Sequence, residues 1–178
     1  STPDEFRPIV RLFQENGYKE ADINLGCPFP MQVRAHRGSG LLRYKEEAES
    51  LLRTIEEFPD ISFSMKMRLG WECTDESFVL LSLLNKLPLK HITLHPRLGI
   101  QQYKGAIDWD GFSRFYDECE LPLYYNGDLV GLEDIRGIKE RFPGLAGIML
   151  GRGLLASPWL ATEFVSGQVL TVNERRGK

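Results

Sequence analysis

The sequence has no run approaching the roughly 18 consecutive apolar residues that a membrane-spanning helix requires. Its start, Ser1-Thr2-Pro3-Asp4-Glu5, has neither the basic nor the apolar segment of a secretory signal. These absences point to a cytoplasmic protein without a membrane partner. Cysteine is scarce: Cys27, Cys73 and Cys119 are three in number and far apart, with no CxxC pair, which argues against a disulfide framework and a zinc site. No metal is therefore expected. No large charge excess of one sign exists either. The net charge is -3, so whole-surface attraction to nucleic acid is excluded, and any RNA contact has to come from a local basic patch or from a part outside this sequence. Linkers and low-complexity tracts are also lacking, so one domain is expected over residues 1–170, followed by a polar tail over 171–178.

What is present suits a folded chain, since 42% hydrophobic and 26% charged residues are ordinary for a globular protein. Five short apolar runs, 21–25, 61–69, 91–95, 121–126 and 146–150, alternate with stretches of helical periodicity. That pattern predicts parallel βα units. Their spacing is close to the ~31 residues per unit of a (β/α)8 barrel, and favours a barrel over a doubly wound sheet. In the second run Ile61, Phe63, Met65, Met67 and Leu69 alternate with Ser62, Ser64, Lys66 and Arg68. One face is apolar and packs on helices, and the other carries Lys66 and Arg68 inward near the strand's C-terminal end, where barrel active sites lie. In the third run Thr93, His95 and Arg97 take the same direction, with Ile92 and Leu94 facing the helices. Segments 5–18, 44–58 and 77–87 read as helices, the second with Ala48, Leu51, Leu52 and Ile55 on one face and the third with Phe78, Leu81 and Leu84. Five strands do not close a barrel. The fold class is thus α/β, a TIM (β/α)8-type barrel represented by strands 4 to 8, with about three βα units expected ahead of Ser1.

The strand ends carry motifs in order along the chain. Asp22-Ile23-Asn24-Leu25-Gly26-Cys27-Pro28 is followed by Val33 and Gly38-Ser39-Gly40-Leu41-Leu42, and then by Met65-Lys66-Met67-Arg68-Leu69-Gly70-Trp71. Next come Thr93-Leu94-His95-Pro96-Arg97, Gln102-Tyr103-Lys104-Gly105 with Asp108-Trp109, Asn126-Gly127-Asp128 and Gly147-Ile148-Met149-Leu150-Gly151-Arg152-Gly153, ending in Pro158-Trp159-Leu160. The set resembles the tRNA-dihydrouridine synthases. It departs from them at Pro96, where the family usually has Gly, and in a looser glycine-rich stretch over 37–40.

The resemblance implies an FMN-dependent oxidoreductase, with NADPH as reductant, that reduces uridine in tRNA to 5,6-dihydrouridine. A hydride would pass from reduced flavin to C6, and Cys27 would supply the proton to C5. A thiol suits that role, because an unperturbed pKa of about 8.5 keeps it protonated near neutrality yet able to release its proton. On position alone Cys27 reads rather as a packed structural cysteine, and its place at a strand end between Gly26 and Pro28 turns the reading to the catalytic one. Lys66 on an inward face needs a negative partner, which either a flavin or a carboxylate of Asp22 or Asp128 would provide. His95 and Arg97 are expected at the flavin, and Asn126, Gly127, Asp128, Gly151 and Arg152 at its phosphate, on the loops where barrels commonly bind phosphate. Asn24, Arg34, Arg37 and Arg68 are assigned to substrate, with Arg68 either touching it or lying at the rim. Arg34, His36, Arg37, Arg43 and Lys45 form a basic cluster that either meets the RNA backbone or is a solvated loop and helix start. Two other readings stand beside this one: another FMN-dependent barrel oxidoreductase acting on a small molecule, and an inactive fragment of the synthase.

Overall fold

The computed structural model describes residues 2–171, 173 and 175. The chain divides into two compact units, Ser1–Leu123 and Tyr124–Lys178, where the sequence suggested a single domain to residue 170.

The first unit opens with helix α1 (Pro3–Glu15), capped by Thr2. The Thr2 hydroxyl accepts from the Glu5 amide while the Glu5 carboxylate accepts from the Thr2 amide, so two amides left over at the helix start are satisfied reciprocally. Strand β1 (Glu20–Leu25), the short helix α2 (Pro30–Arg34), helix α3 (Lys45–Arg53), strand β2 (Ser62–Arg68), helix α4 (Asp75–Leu84), strand β3 (Leu89–His95) and helix α5 (Trp109–Glu118) follow. β1 pairs with β2 and β2 with β3, both in parallel. Asn24 lies opposite Lys66 and Lys66 opposite Thr93, and Arg68 is opposite His95.

The alternation in β2 does what the sequence suggested. Phe63, Met65, Met67 and Leu69 are buried, as are Ala48, Leu51, Leu52 and Ile55 of the segment beneath them. That segment is not one helix to residue 58, because α3 tightens into a 3-10 turn over Thr54–Glu57. The buried Thr54 hydroxyl donates to the Leu51 carbonyl and so competes with the helical pattern. In α4 the buried stripe is wider than expected: Leu80, Leu81, Leu83 and Leu84 are buried, whereas Phe78 is half-buried against Phe115 under the Arg114 guanidinium. Helix α5 starts at Asp108, whose carboxylate accepts from the Gly111 amide at 2.9 Å.

The second unit pairs β4 (Leu123–Tyr125) with β5 (Gly147–Ile148), again in parallel, across helix α6 (Leu132–Arg141). Short helices α7 (Arg152–Ala156) and α8 (Leu160–Ser166) follow. Of the expected polar tail, residues 172, 174 and 176–178 lie outside the described residues. Arg175 binds the buried Glu163 carboxylate at 2.6 Å, and the Leu170 amide donates to the same oxygen.

Candidate functional site

In the first unit the C-terminal ends of three parallel strands set the chemistry. Near the end of β1, the Asn24 side-chain oxygen accepts from the amides of Gly26 (2.9 Å) and Cys27 (3.1 Å), an Asx-type turn that fixes the direction of the chain. The Cys27 carbonyl accepts from the Ser39 amide at 3.0 Å and the Ser39 hydroxyl at 2.9 Å. The Gly26 carbonyl accepts from Arg68 Nε at 3.0 Å. Every backbone polar group of Gly26 and Cys27 is thereby held, while the Cys27 thiol side stays partly accessible. Gly38 completes the enclosure, since its φ of +57° is a left-handed conformation and a Cβ there would sit 2.5 Å from the Cys27 carbonyl oxygen.

Lys66 reaches the same place. Its ammonium lies 3.7 Å from where a Cβ on Gly26 would be. Burial lowers its pKa below the ordinary lysine value, repulsion from Arg68 adds to this, and attraction to Asp22 opposes it. The Asp22 carboxylate accepts instead from the Ser64 hydroxyl at 2.7 Å, and among the described residues Lys66 forms no hydrogen bond or close ion pair. On the neighbouring strand Thr93 is fully buried and, among the described residues, its hydroxyl has no hydrogen-bond partner. A desolvated cation and an orphaned hydroxyl on adjacent strands are what an anionic, acceptor-rich group would satisfy.

His95 ends β3 and Arg97 lies just past it, and both are more enclosed than a rim position implies, at 6% and 4% exposure. Arg97 donates through Nε and Nη2 to the Gly105 carbonyl at 3.1 and 2.8 Å, and its third nitrogen stands 3.4 Å from His95 Nε2. Arg97 therefore closes the loop over 99–105. Arg68 is 1% exposed and bridges the Gly26 carbonyl to the Leu98 carbonyl, the latter at 2.9 Å.

The basic cluster is largely neutralised in place. His36 Nδ1 lies 2.8 Å from Glu47, with its ring stacked on Tyr44 at 3.7 Å, and Arg37 pairs with Glu5 at 2.8 Å. Arg43 and Lys45 face Glu72 and Glu49 at 3.8 and 3.9 Å. Arg34 is exposed at the end of α2 and has no ion pair among the described residues.

In the second unit the Asn126 side-chain amide donates to the Met149 carbonyl at 2.9 Å, tying the end of β4 to the end of β5. Gly127 packs against Tyr125, whose hydroxyl would be 2.4 Å from a Cβ at that position. Arg152 pairs with Asp128 at 2.6 Å, and the space beside Gly151 is open. Among the described residues no group of three His, Cys, Asp or Glu could hold a metal ion, and no helix is long and apolar enough to cross a membrane. Sequence reasoning missed Ser39, Leu98 and Gly105 as partners of the site. Ser39 sits between two glycines, and the other two act through carbonyl groups, which any residue type supplies.

Parallel strands alternating with helices, with reactive and cationic side chains at the strand ends, define an α/β protein of the TIM-barrel type. Solved structures share the fold. Morphinone reductase superposes with a TM-score of 0.62 at 14% identity over 95% of this chain and 49% of its own, and a probable mandelate racemase from Alicyclobacillus acidocaldarius with 0.62 at 11% identity over 94% and 36%. The chain belongs to the dihydrouridine synthase family, whose model matches residues 1–174. A probable tRNA-dihydrouridine synthase of Rhizobium leguminosarum is 31% identical over 85% of this chain and 48% of that protein. The tRNA-dihydrouridine synthase B of Klebsiella pneumoniae is 27% identical over 92% and 51%. The chain thus spans about half the length of the curated relatives it matches.

Proposed function

We propose that this chain is the catalytic portion of an FMN-dependent, NADPH-driven enzyme that reduces uridine to 5,6-dihydrouridine in tRNA. The observation that carries the reading is the half-buried Lys66 ammonium, without a close counter-ion, beside the Cys27 segment. It fits the electron-rich edge of a flavin ring, and the Thr93 hydroxyl, without a hydrogen-bond partner among the described residues, fits the same group. When bound, the flavin supplies the hydride that goes to C6 of the uracil.

The chain's own residues have the following parts in this reading. Cys27 holds the proton destined for C5, and its backbone is fixed so that the thiol keeps one direction. Lys66 and Arg97 supply positive charge at the flavin ring, and His95 lies beside Arg97. In the second unit, taken by itself, Asn126, Gly127 and Gly151 offer backbone to a phosphate group, and Arg152, oriented by Asp128, suits one through its planar fork. Asn24 still has its side-chain NH2 for the uracil, and Arg34 is the member of the basic cluster open to an RNA phosphate. Arg37 and Arg68 are held by Glu5 and by backbone carbonyls, so their contribution to substrate binding is through the loops they fix.

The test is reconstitution with FMN followed by assay of tRNA for dihydrouridine. The expected result is a flavin absorption spectrum with the purified chain, and loss of product in Cys27→Ala with the flavin retained. Reduction of a free enone or pyrimidine in place of tRNA would instead favour a small-molecule oxidoreductase, and failure to take up FMN would favour the inactive fragment.

A further inference from the structure

We infer that Arg68 is a positioning residue that locks the Cys27 thiol to the loop after β3, so that the direction of the proton donor and the placement of that loop are set together. The inference rests on the reading of Cys27 as the proton donor. Its basis is geometric. Of the four backbone groups of Gly26 and Cys27, the two amides are held locally by Asn24 and the Cys27 carbonyl by Ser39 in the following loop. The Gly26 carbonyl is held by Arg68 on β2, and the same guanidinium holds the Leu98 carbonyl. The Tyr103 ring lies 5.4 Å from it, on the 99–105 loop that Arg97 closes through the Gly105 carbonyl.

A guanidinium suits this position for two reasons. Its planar fork directs separate N–H groups at two carbonyls in fixed geometry, which an ammonium cannot match. At 1% exposure it is also desolvated, so each carbonyl it meets is bound by a charge-assisted hydrogen bond that water does not replace. A desolvated cation this close to backbone carbonyls is costly unless both bonds form, which makes the arrangement all-or-none. Displacing the β3 loop breaks the Leu98 bond and frees the Gly26 carbonyl with it. The charged and titratable groups around the Cys27 segment are Asp22 on β1, Lys66 and Arg68 on β2, Arg97 after β3 and Tyr103 on the loop.

The three cysteines provide the test: Cys73 is exposed, Cys27 and Cys119 are both half-buried, and the Cys119 thiol is in addition held by donating to the Leu121 carbonyl, with burial raising its pKa. Iodoacetamide alkylation of the full chain, resolved by peptide mass, gives the Cys27 rate relative to Cys73, with Cys119 reporting global opening. In Arg68→Met and Arg68→Lys alike, the Cys27 to Cys73 ratio should rise on the order of tenfold, the effect of losing one charge-assisted hydrogen bond. Cys119 should stay slow. If Arg68→Met does not fold, Arg68→Lys decides alone. In the flavin-loaded protein Arg68→Lys should lower kcat by a larger factor than it raises KM for tRNA. An unchanged ratio in the folded variants, or Cys119 rising in step with Cys27, overturns the inference. The alkylation needs neither flavin nor tRNA. Dihydrouridine formation surviving in Cys27→Ala would therefore sink the functional reading without altering the ratio.

Discussion

Replacing Gly38 by alanine should cost the first unit about 3 kcal/mol and disturb Cys27 in particular. The residue has φ +57°, and an L side chain in that conformation costs roughly 1 kcal/mol by itself. The added Cβ would also stand 2.5 Å from the Cys27 carbonyl oxygen and 2.9 Å from the Cys27 Cβ, distances that real Cβ atoms do not tolerate. Relief requires the Cys27 peptide to move, and its carbonyl is the acceptor of both the Ser39 amide and the Ser39 hydroxyl. Losing or stretching those two bonds adds about 1 kcal/mol each. Gly17 is a control for the first contribution, with φ +78° and nothing within 4 Å of its would-be Cβ, so that Gly17→Ala carries the conformational cost alone. Urea denaturation followed by the fluorescence of Trp71 and Trp109, in a Trp159→Phe background, reads the first unit, and alkylation reads Cys27. The expected order is a loss of about 1 kcal/mol for Gly17→Ala and about three times that for Gly38→Ala, with Cys27 reactivity altered only in the second. Equal losses in the two variants, with Cys27 unaffected, would falsify the view that Gly38 is required by its approach to the cysteine.

Lys66→Met should leave the fold as stable or stabilise it by about 1 kcal/mol, because it removes a desolvated cation, while weakening retention of FMN. The parent's Lys66 pKa is lowered on folding, so the unfolded chain binds more protons and stability rises as pH climbs from the folded value toward the ordinary 10.5. A denaturation series at alkaline pH should show that rise shrink in Lys66→Met. The carboxylates of Glu57, Glu20 and Glu5 are lowered by hydrogen bonds from Arg7, Lys90 and the Thr2 amide respectively. Their contribution is present above the ordinary carboxylate range and is lost as pH falls through the lowered folded values, so Glu57→Gln should flatten the acid limb of the stability curve, less so in high salt. Asp108→Ala should cost about 1 kcal/mol through the start of α5, seen as a lower urea midpoint, and Asp108→Ser should recover most of it.

What the sequence made legible was whatever repeats at a fixed interval. The β2 alternation announced its own burial, because a period of two puts Phe63, Met65 and Met67 on one face whatever lies elsewhere in the chain. The strand ends were legible for the same reason, since a strand's direction decides which end carries the chemistry. Partnership was not legible. Lys66 and Arg68 are two residues apart on one strand face, and both read as inward cations. Yet among the described residues Lys66 lacks a close partner, while Arg68 is enclosed between two carbonyls. Nothing local separates them. The difference is made by Gly26 and Leu98, which lie 42 and 30 residues from Arg68 and act through atoms common to every amino acid. The basic cluster after Cys27 shows the same effect in reverse. Five cationic or ionisable side chains within a dozen residues suggest a positive patch, but Glu5, Glu47, Glu49 and Glu72 approach four of them. Of these carboxylates only Glu47 and Glu49 lie near in sequence. The field that an RNA backbone would meet there is set by those acidic partners as much as by the arginines, which concentrates the available positive charge on Arg34. Arg34→Ala should therefore weaken tRNA binding and reduce its salt dependence more than Arg37→Ala does, and an equal effect of the two in a filter-binding titration would show that the Glu5 pair opens when RNA arrives.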